Sequence, residues 1–153
     1  MNDASKLVCL LGLTMTFASP NLAAADPGHG ELTVLMTAEN GALTLQYHEP
    51  GKGLDGDPST QCAVGDKITL PAGGVVNLQF ISADVPYSFE IAGYVEKLDI
   101  VPGLVSYSEI VTPAEAGQVS AVLQTHAEGS KKVVAVRFRS DLNAFDSRMF
   151  CAP

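Results

Sequence analysis

His29, His48, His126, Met36 and Met149, with Cys62 and Cys151, are the side chains of the expected mature chain suited to a soft metal ion, because imidazole, thioether and thiolate are the donors copper selects. The His and Met residues lack the tight spacing of a copper carrier. A site for a single copper ion therefore requires the fold to bring His126, close to Glu128, together with His48 or Met149. Each of the others has a plainer reading: His29 stands in a Gly-rich terminus, His48 falls on the polar face of its strand, and Met149 is in phase with an apolar helix face. Catalytic constellations are absent from the sequence. It has no Gly-x-Ser-x-Gly, no phosphate loop, only 3 His, and carboxylates dispersed along turns, so an enzyme is not expected. Asp55, Asp57 and Ser59 imitate the start of a calcium loop, but Thr60 and Asp66 stand where that loop needs Gly and Glu, which leaves a solvated loop.

The elements that must position these groups read as strands. Segments 31–37, 42–48, 67–70, 75–81, 87–91, 105–111, 119–125 and 132–139 are short, rich in β-branched or apolar residues, and bounded by Gly, Pro, Asn or Asp. Their period is two: Leu43, Leu45 and Tyr47 alternate with Thr44, Gln46 and His48, Val76, Leu78 and Phe80 with Asn77 and Gln79, and Val134, Val136 and Phe138 with Arg137 and Arg139. The apolar member of each set is expected in the core. Asn40-Gly41 predicts a tight hairpin, residues 49–59 a Gly/Pro/Asp loop, and Ser140 an N-cap for a short closing helix with Leu142, Phe145 and Met149 on one face.

The chain has 153 residues, the span of one domain, with 9 basic and 17 acidic side chains and a net charge of −8. Nucleic acid is not an expected partner of so acidic a protein. The charge steers a basic protein partner or simply keeps an exported protein soluble. Residues 1–25 read as a cleaved signal peptide: Lys6, an apolar run over 7–18 too short to span a bilayer, then Ala23-Ala24-Ala25 before Asp26. The expected mature domain is therefore 26–153, periplasmic and without a transmembrane helix, an uncleaved interfacial anchor being the alternative. With Cys9 inside the signal, Cys62 and Cys151 remain, as a structural disulfide in an oxidising compartment or as two free or ligating thiols.

Over 68–145 the chain resembles the soluble copper A domain of cytochrome c oxidase subunit II. The segment ITLPAGGVVNLQFISADVPYSFEI matches that family's strand, turn, strand and Ser-x-Asp-Val-x-His-Ser-Phe motif, at Ser82, Asp84, Val85, Ser88 and Phe89. Lys97, Asp99, Pro102 and Gly103 match its Lys-x-Asp and Ile-Pro-Gly, and Ala116-Gly117 a later Pro-Gly. The resemblance implies an all-β, cupredoxin-like Greek-key sandwich.

The same resemblance implies a dinuclear copper centre, whose ligands are missing here. Tyr87 stands at the position of the family's first His. Its Cys-x-Glu-x-Cys-x-x-x-His-x-x-Met cluster falls on QVSAVLQTHAEGSKK, where Leu123 and Ala127 replace the two Cys, and neither Ser130 nor Lys132 can serve as the later His or Met. The Trp-rich strand that receives electrons corresponds to ENGALTLQY, and the chain has 0 Trp. Tyr87 is expected to fill the vacated end of the sandwich, its hydroxyl reaching water or a loop carbonyl. The reading that follows is a non-redox periplasmic accessory or interaction domain with no cofactor, partnered by a respiratory terminal oxidase or its cytochrome and docking through 49–59 or 93–108. The alternative is a single-copper delivery protein using His126 with His48 or Met149.

Overall fold

The computed structural model describes residues 31–51, 60–65, 67–142 and 149–151. Within them the chain forms two five-stranded sheets. The first contains β1 (Leu32–Glu39), β2 (Ala42–His48), β3 (Thr60–Val64), β5 (Val75–Ser82) and β8 (Ser106–Val111), in the spatial order β3-β2-β1-β5-β8. The second contains β4 (Lys67–Pro71), β6 (Tyr87–Ile91), β7 (Val95–Ile100), β9 (Gly117–Thr125) and β10 (Lys131–Arg139), in the order β4-β10-β9-β6-β7. Parallel pairs, β1 with β5 and β4 with β10, sit among antiparallel ones. The chain thus crosses between the sheets, as Greek-key connections require.

Alternation builds the core as the sequence predicts. Leu43, Leu45 and Tyr47 of β2, Val76, Leu78 and Phe80 of β5, and Val134, Val136 and Phe138 of β10 all face inward and are buried. They meet Phe89 and Ile91 from β6, with Phe80 and Phe89 rings 5.1 Å apart. Asn40 and Gly41 both take positive φ, 50° and 70°, the backbone that a tight two-residue hairpin needs and that Asn-Gly adopts at low cost. Ten strands form where the sequence reading has eight. The added β3 and β7 lie at sheet edges, and their alternation is masked by Gln61 in one and by Glu96, Lys97 and Asp99 in the other.

Three expectations change. His48 is not on a solvated face: it is 2% exposed, and neither ring nitrogen has a hydrogen-bond partner. Met149 does not join the apolar side of a closing helix but is exposed, and its neighbour Phe150 enters the core, stacked on Tyr47 at 4.7 Å. The rest of that helix, 143–148, lies outside the described residues, as do 52–59 of the 49–59 loop and the whole of the signal segment. Cys62 and Cys151 are bonded, with Cα atoms 5.7 Å apart, and Cys62 belongs to strand β3, outside the eight segments that the sequence marks as strands.

Candidate functional site

At one end of the sandwich three connections converge: the Asn40-Gly41 turn, the loop between β5 and β6, and the turn between β9 and β10. Asp84 organises them. Its Oδ2 accepts from the Asn40 amide at 2.6 Å and from the Tyr87 hydroxyl at 3.0 Å, and its Oδ1 from the Val85 amide at 2.7 Å. The Tyr87 hydroxyl in turn accepts from the Gly41 amide at 3.0 Å. The Ser82 hydroxyl donates to the Val85 carbonyl at 2.6 Å, which closes the loop. Successive amides of the hairpin turn therefore grip a carboxylate and a phenol from the neighbouring loop and strand. Tyr87 finds a carboxylate instead of the water or carbonyl expected, and its ring is fully buried.

The electrostatics follow from that pairing. The Asn40 amide holds the Asp84 carboxyl below the usual carboxylate range, against the opposing effect of burial and with help from the Val85 amide and the Tyr87 hydroxyl. Burial first, and then the Asp84 charge, push the Tyr87 phenol up, so it is a neutral donor at pH 7. A depressed carboxyl contributes stability that is complete above its unfolded value near pH 4 and is lost as pH falls through the folded value. Asp84→Asn is accordingly expected to flatten the acid limb of a stability-against-pH curve below about pH 5, measured by urea unfolding against the wild type. Some acid dependence should persist, because Arg139 also holds the Asp141 carboxyl low. An unchanged acid limb would remove Asp84 from this role.

Beside this network lies a cleft of about 370 Å³ lined by Asn40, Asp84, Tyr87, Thr125, Glu128 and Ser130. Two of its polar residues are paired with each other: Thr125 Oγ1 and Ser130 Oγ are 2.7 Å apart, and the Thr125 amide donates to the Ser130 carbonyl at 3.0 Å. Those bonds shut the β9–β10 turn to residues 126–130. A Cys-to-Met cluster spanning twelve positions has no loop to occupy there. Leu123 is buried in β9 opposite Phe89, so it is a core residue, while Ala127 sits in the turn.

His126 lies in the same turn. Its amide donates to the Pro86 carbonyl at 3.1 Å, and its Nε2 is 3.4 Å from an Asp99 carboxylate oxygen on β7. His48 lies at the opposite end, paired with Thr33 at the start of β1, roughly 20 Å away by the length of a seven-residue strand. Met149 precedes Phe150, which packs on Tyr47 toward the His48 end. His126 is therefore not brought together with either proposed co-ligand. Among the described residues no group of three or more His, Cys, Asp or Glu is placed to share a metal ion. Tyr87, Leu123 and Ala127 do not suit copper, since a neutral phenol already engaged in two hydrogen bonds, a buried Leu and an Ala provide neither thiolate nor imidazole, and His126 adds a single imidazole beside Asp99.

Asp84 and Tyr87 were legible as residues of the motif. The roles of Asn40 and Gly41 were not, because a turn sequence does not announce what its amides will meet across 44 and 46 residues.

Two sheets joined by crossovers, with motif residues gathered at one end, define a cupredoxin-like β-sandwich. The chain is similar in structure to the periplasmic domain of subunit II of cytochrome oxidase (CoxB) of Bradyrhizobium japonicum, at TM-score 0.56 and 20% identity, over 73% of this chain and 86% of that one. A second similar chain comes from the mixed disulfide intermediate between thioredoxin-like TlpAs and subunit II of cytochrome c oxidase, at TM-score 0.57 and 18% identity, over 84% and 100%. At these identities the likeness is one of fold. No protein-family model and no curated protein matches the chain. Among the described residues no helix is long and apolar enough to cross a membrane.

Proposed function

We propose that this protein is a non-redox accessory domain, exported to the periplasm by cleavage after Ala25, that binds a respiratory terminal oxidase or its cytochrome partner. The observation that carries the reading is the closed end of the sandwich. Where the resembled family holds copper, Tyr87, Asp84 and the Asn40-Gly41 amides satisfy one another, and the facing turn is shut by Thr125 and Ser130. A domain that retains this architecture without the donors retains its surfaces, and one of these is unusual. Val101, Leu104 and Val105, in the connection between β7 and β8, are 41%, 64% and 56% exposed. Exposed apolar groups clustered in one short connection mark a contact surface, and this one falls inside the 93–108 segment.

Two measurements test the proposal. Purified protein challenged with Cu(I) or Cu(II) and then a modest competing chelator is expected to keep less than about one equivalent, with no intense thiolate-to-copper absorption. A blue or purple protein would overturn it, and a colourless stoichiometric complex lost on His126→Ala would move the function to copper delivery. Copurification from native membranes with mass-spectrometric identification is expected to recover oxidase or cytochrome subunits, and recovery of neither would sink the partner assignment.

A further inference from the structure

A two-sheet sandwich has four edge strands, and three of them here are protected against pairing with another chain. β3 is five residues long and is tied to the C-terminal segment through Cys62 and Cys151. β4 is equally short, begins at Lys67 and ends at Pro71. β7 exposes Glu96, Lys97 and Asp99 and is bent by a register shift opposite Phe89 and Ile91. Short length, proline, charge and bulges are the devices by which edges are blunted.

β8 has neither proline nor a bulge, and Glu109 is its one charge. Its six residues, SYSEIV, contain neither Pro nor Lys and pair regularly with β5 on one side. On the other side β7 lies nearby, and the hydrogen bond found there among the described residues is from the Ser106 hydroxyl to the Asp99 carbonyl at 2.9 Å. The outward row is Tyr107, Glu109 and Val111, with Tyr107 78% and Val111 69% exposed. An apolar ring, a carboxylate and an apolar branch thus project at alternate positions along an open backbone edge.

We infer that β8 is a docking edge for an extended segment of a partner protein, which adds as a sixth strand and presents the alternation apolar, basic, apolar opposite Tyr107, Glu109 and Val111. Main-chain hydrogen bonds supply the affinity of such an addition and alternate side chains its specificity. The chemistry of the occupant follows from the row it meets. A central Lys or Arg pairs with Glu109 and suits a chain of net charge −8, while apolar residues on either side cover Tyr107 and Val111. A second copy of this chain fits less well, because the register that sets Tyr107 against Val111 of the copy also sets Glu109 directly against Glu109. The edge continues the apolar connection at Leu104 and Val105, so one partner can cover both. The inference rests on the interaction-domain reading for the identity of the partner only, not for the edge itself.

The test is titration of the isotopically labelled chain with the peptide Thr-Val-Thr-Lys-Thr-Val-Thr, followed by amide NMR. Saturable shifts concentrated over 106–111 and the facing residues of β5 are expected. A peptide with Glu at its centre should bind about three- to tenfold more weakly, and Glu109→Lys should reverse that order. Failure of both peptides to saturate, shifts located elsewhere, or shifts of β8 that track protein concentration and report self-association would each overturn the inference. Equal copurification of an oxidase by wild type and Glu109→Lys would remove the edge from docking and leave the interaction-domain reading intact. Saturable, charge-dependent peptide binding without any oxidase would support the edge and sink the partner assignment.

Discussion

Cys62→Ser is expected to lower stability by about 4–5 kcal/mol, because it releases a loop of 89 residues whose closure restricts the unfolded chain. The folded state loses as well. Cys151 follows Phe150 directly, and the disulfide is what holds that short C-terminal segment against β3, with the Phe150 ring stacked on Tyr47. Tyr47 is fully buried and its hydroxyl donates to the Thr69 carbonyl at 2.9 Å, so the bridge closes the sandwich where β2 meets β4. Urea unfolding with and without reductant separates the bridge from other effects of the substitution. Reductant should bring the wild type close to the variant and leave the variant unchanged. Equal stability of the oxidised wild type and Cys62→Ser, or two thiols labelled in native unreduced protein, would contradict the prediction.

The fold was legible where burial imposes period two. Central strands with one apolar face, such as β2, β5 and β10, were read from alternation alone, and their inward residues are the core. The edges were not. β7 carries Glu96, Lys97 and Asp99 because an edge faces water on its outer side, and these charges erase the pattern that marks a strand. His48 failed for a related reason. Its phase along β2 puts it on the outer face, and phase cannot say whether that face is covered; it is.

The site divides along the same line. Types and positions at Tyr87, Leu123 and Ala127 were readable because chemistry is local: a phenol, a branched alkane and a methyl group cannot replace imidazole and thiolate wherever they sit. What occupies the space instead depends on contacts between segments far apart in sequence. Asp84 is an unremarkable loop carboxylate until the Asn40 and Gly41 amides are delivered to it and to Tyr87 by the pairing of β1 with β5.

Tyr87 is where that network is most open to measurement. Tyr87→Ala removes a fully buried ring in contact with the core and is expected to cost about 3–5 kcal/mol, the range for large aromatic deletions that leave a cavity. Tyr87→Phe keeps the ring and deletes only the hydroxyl, which leaves the Gly41 amide without its acceptor and Asp84 Oδ2 without one of two donors. About 1–3 kcal/mol is expected for that change, since a part-buried group deprived of its partner loses more than an average hydrogen bond contributes. If the hydroxyl acts through Asp84, adding Asp84→Asn to Tyr87→Phe should cost less than it does in the wild-type background, because contacting members of one network do not add. Chemical unfolding of the four proteins of this cycle reads the coupling directly. Strict additivity would mean that Tyr87 and Asp84 stabilise the end of the sandwich separately, and a neutral Tyr87→Phe would mean that the ring alone supports this end.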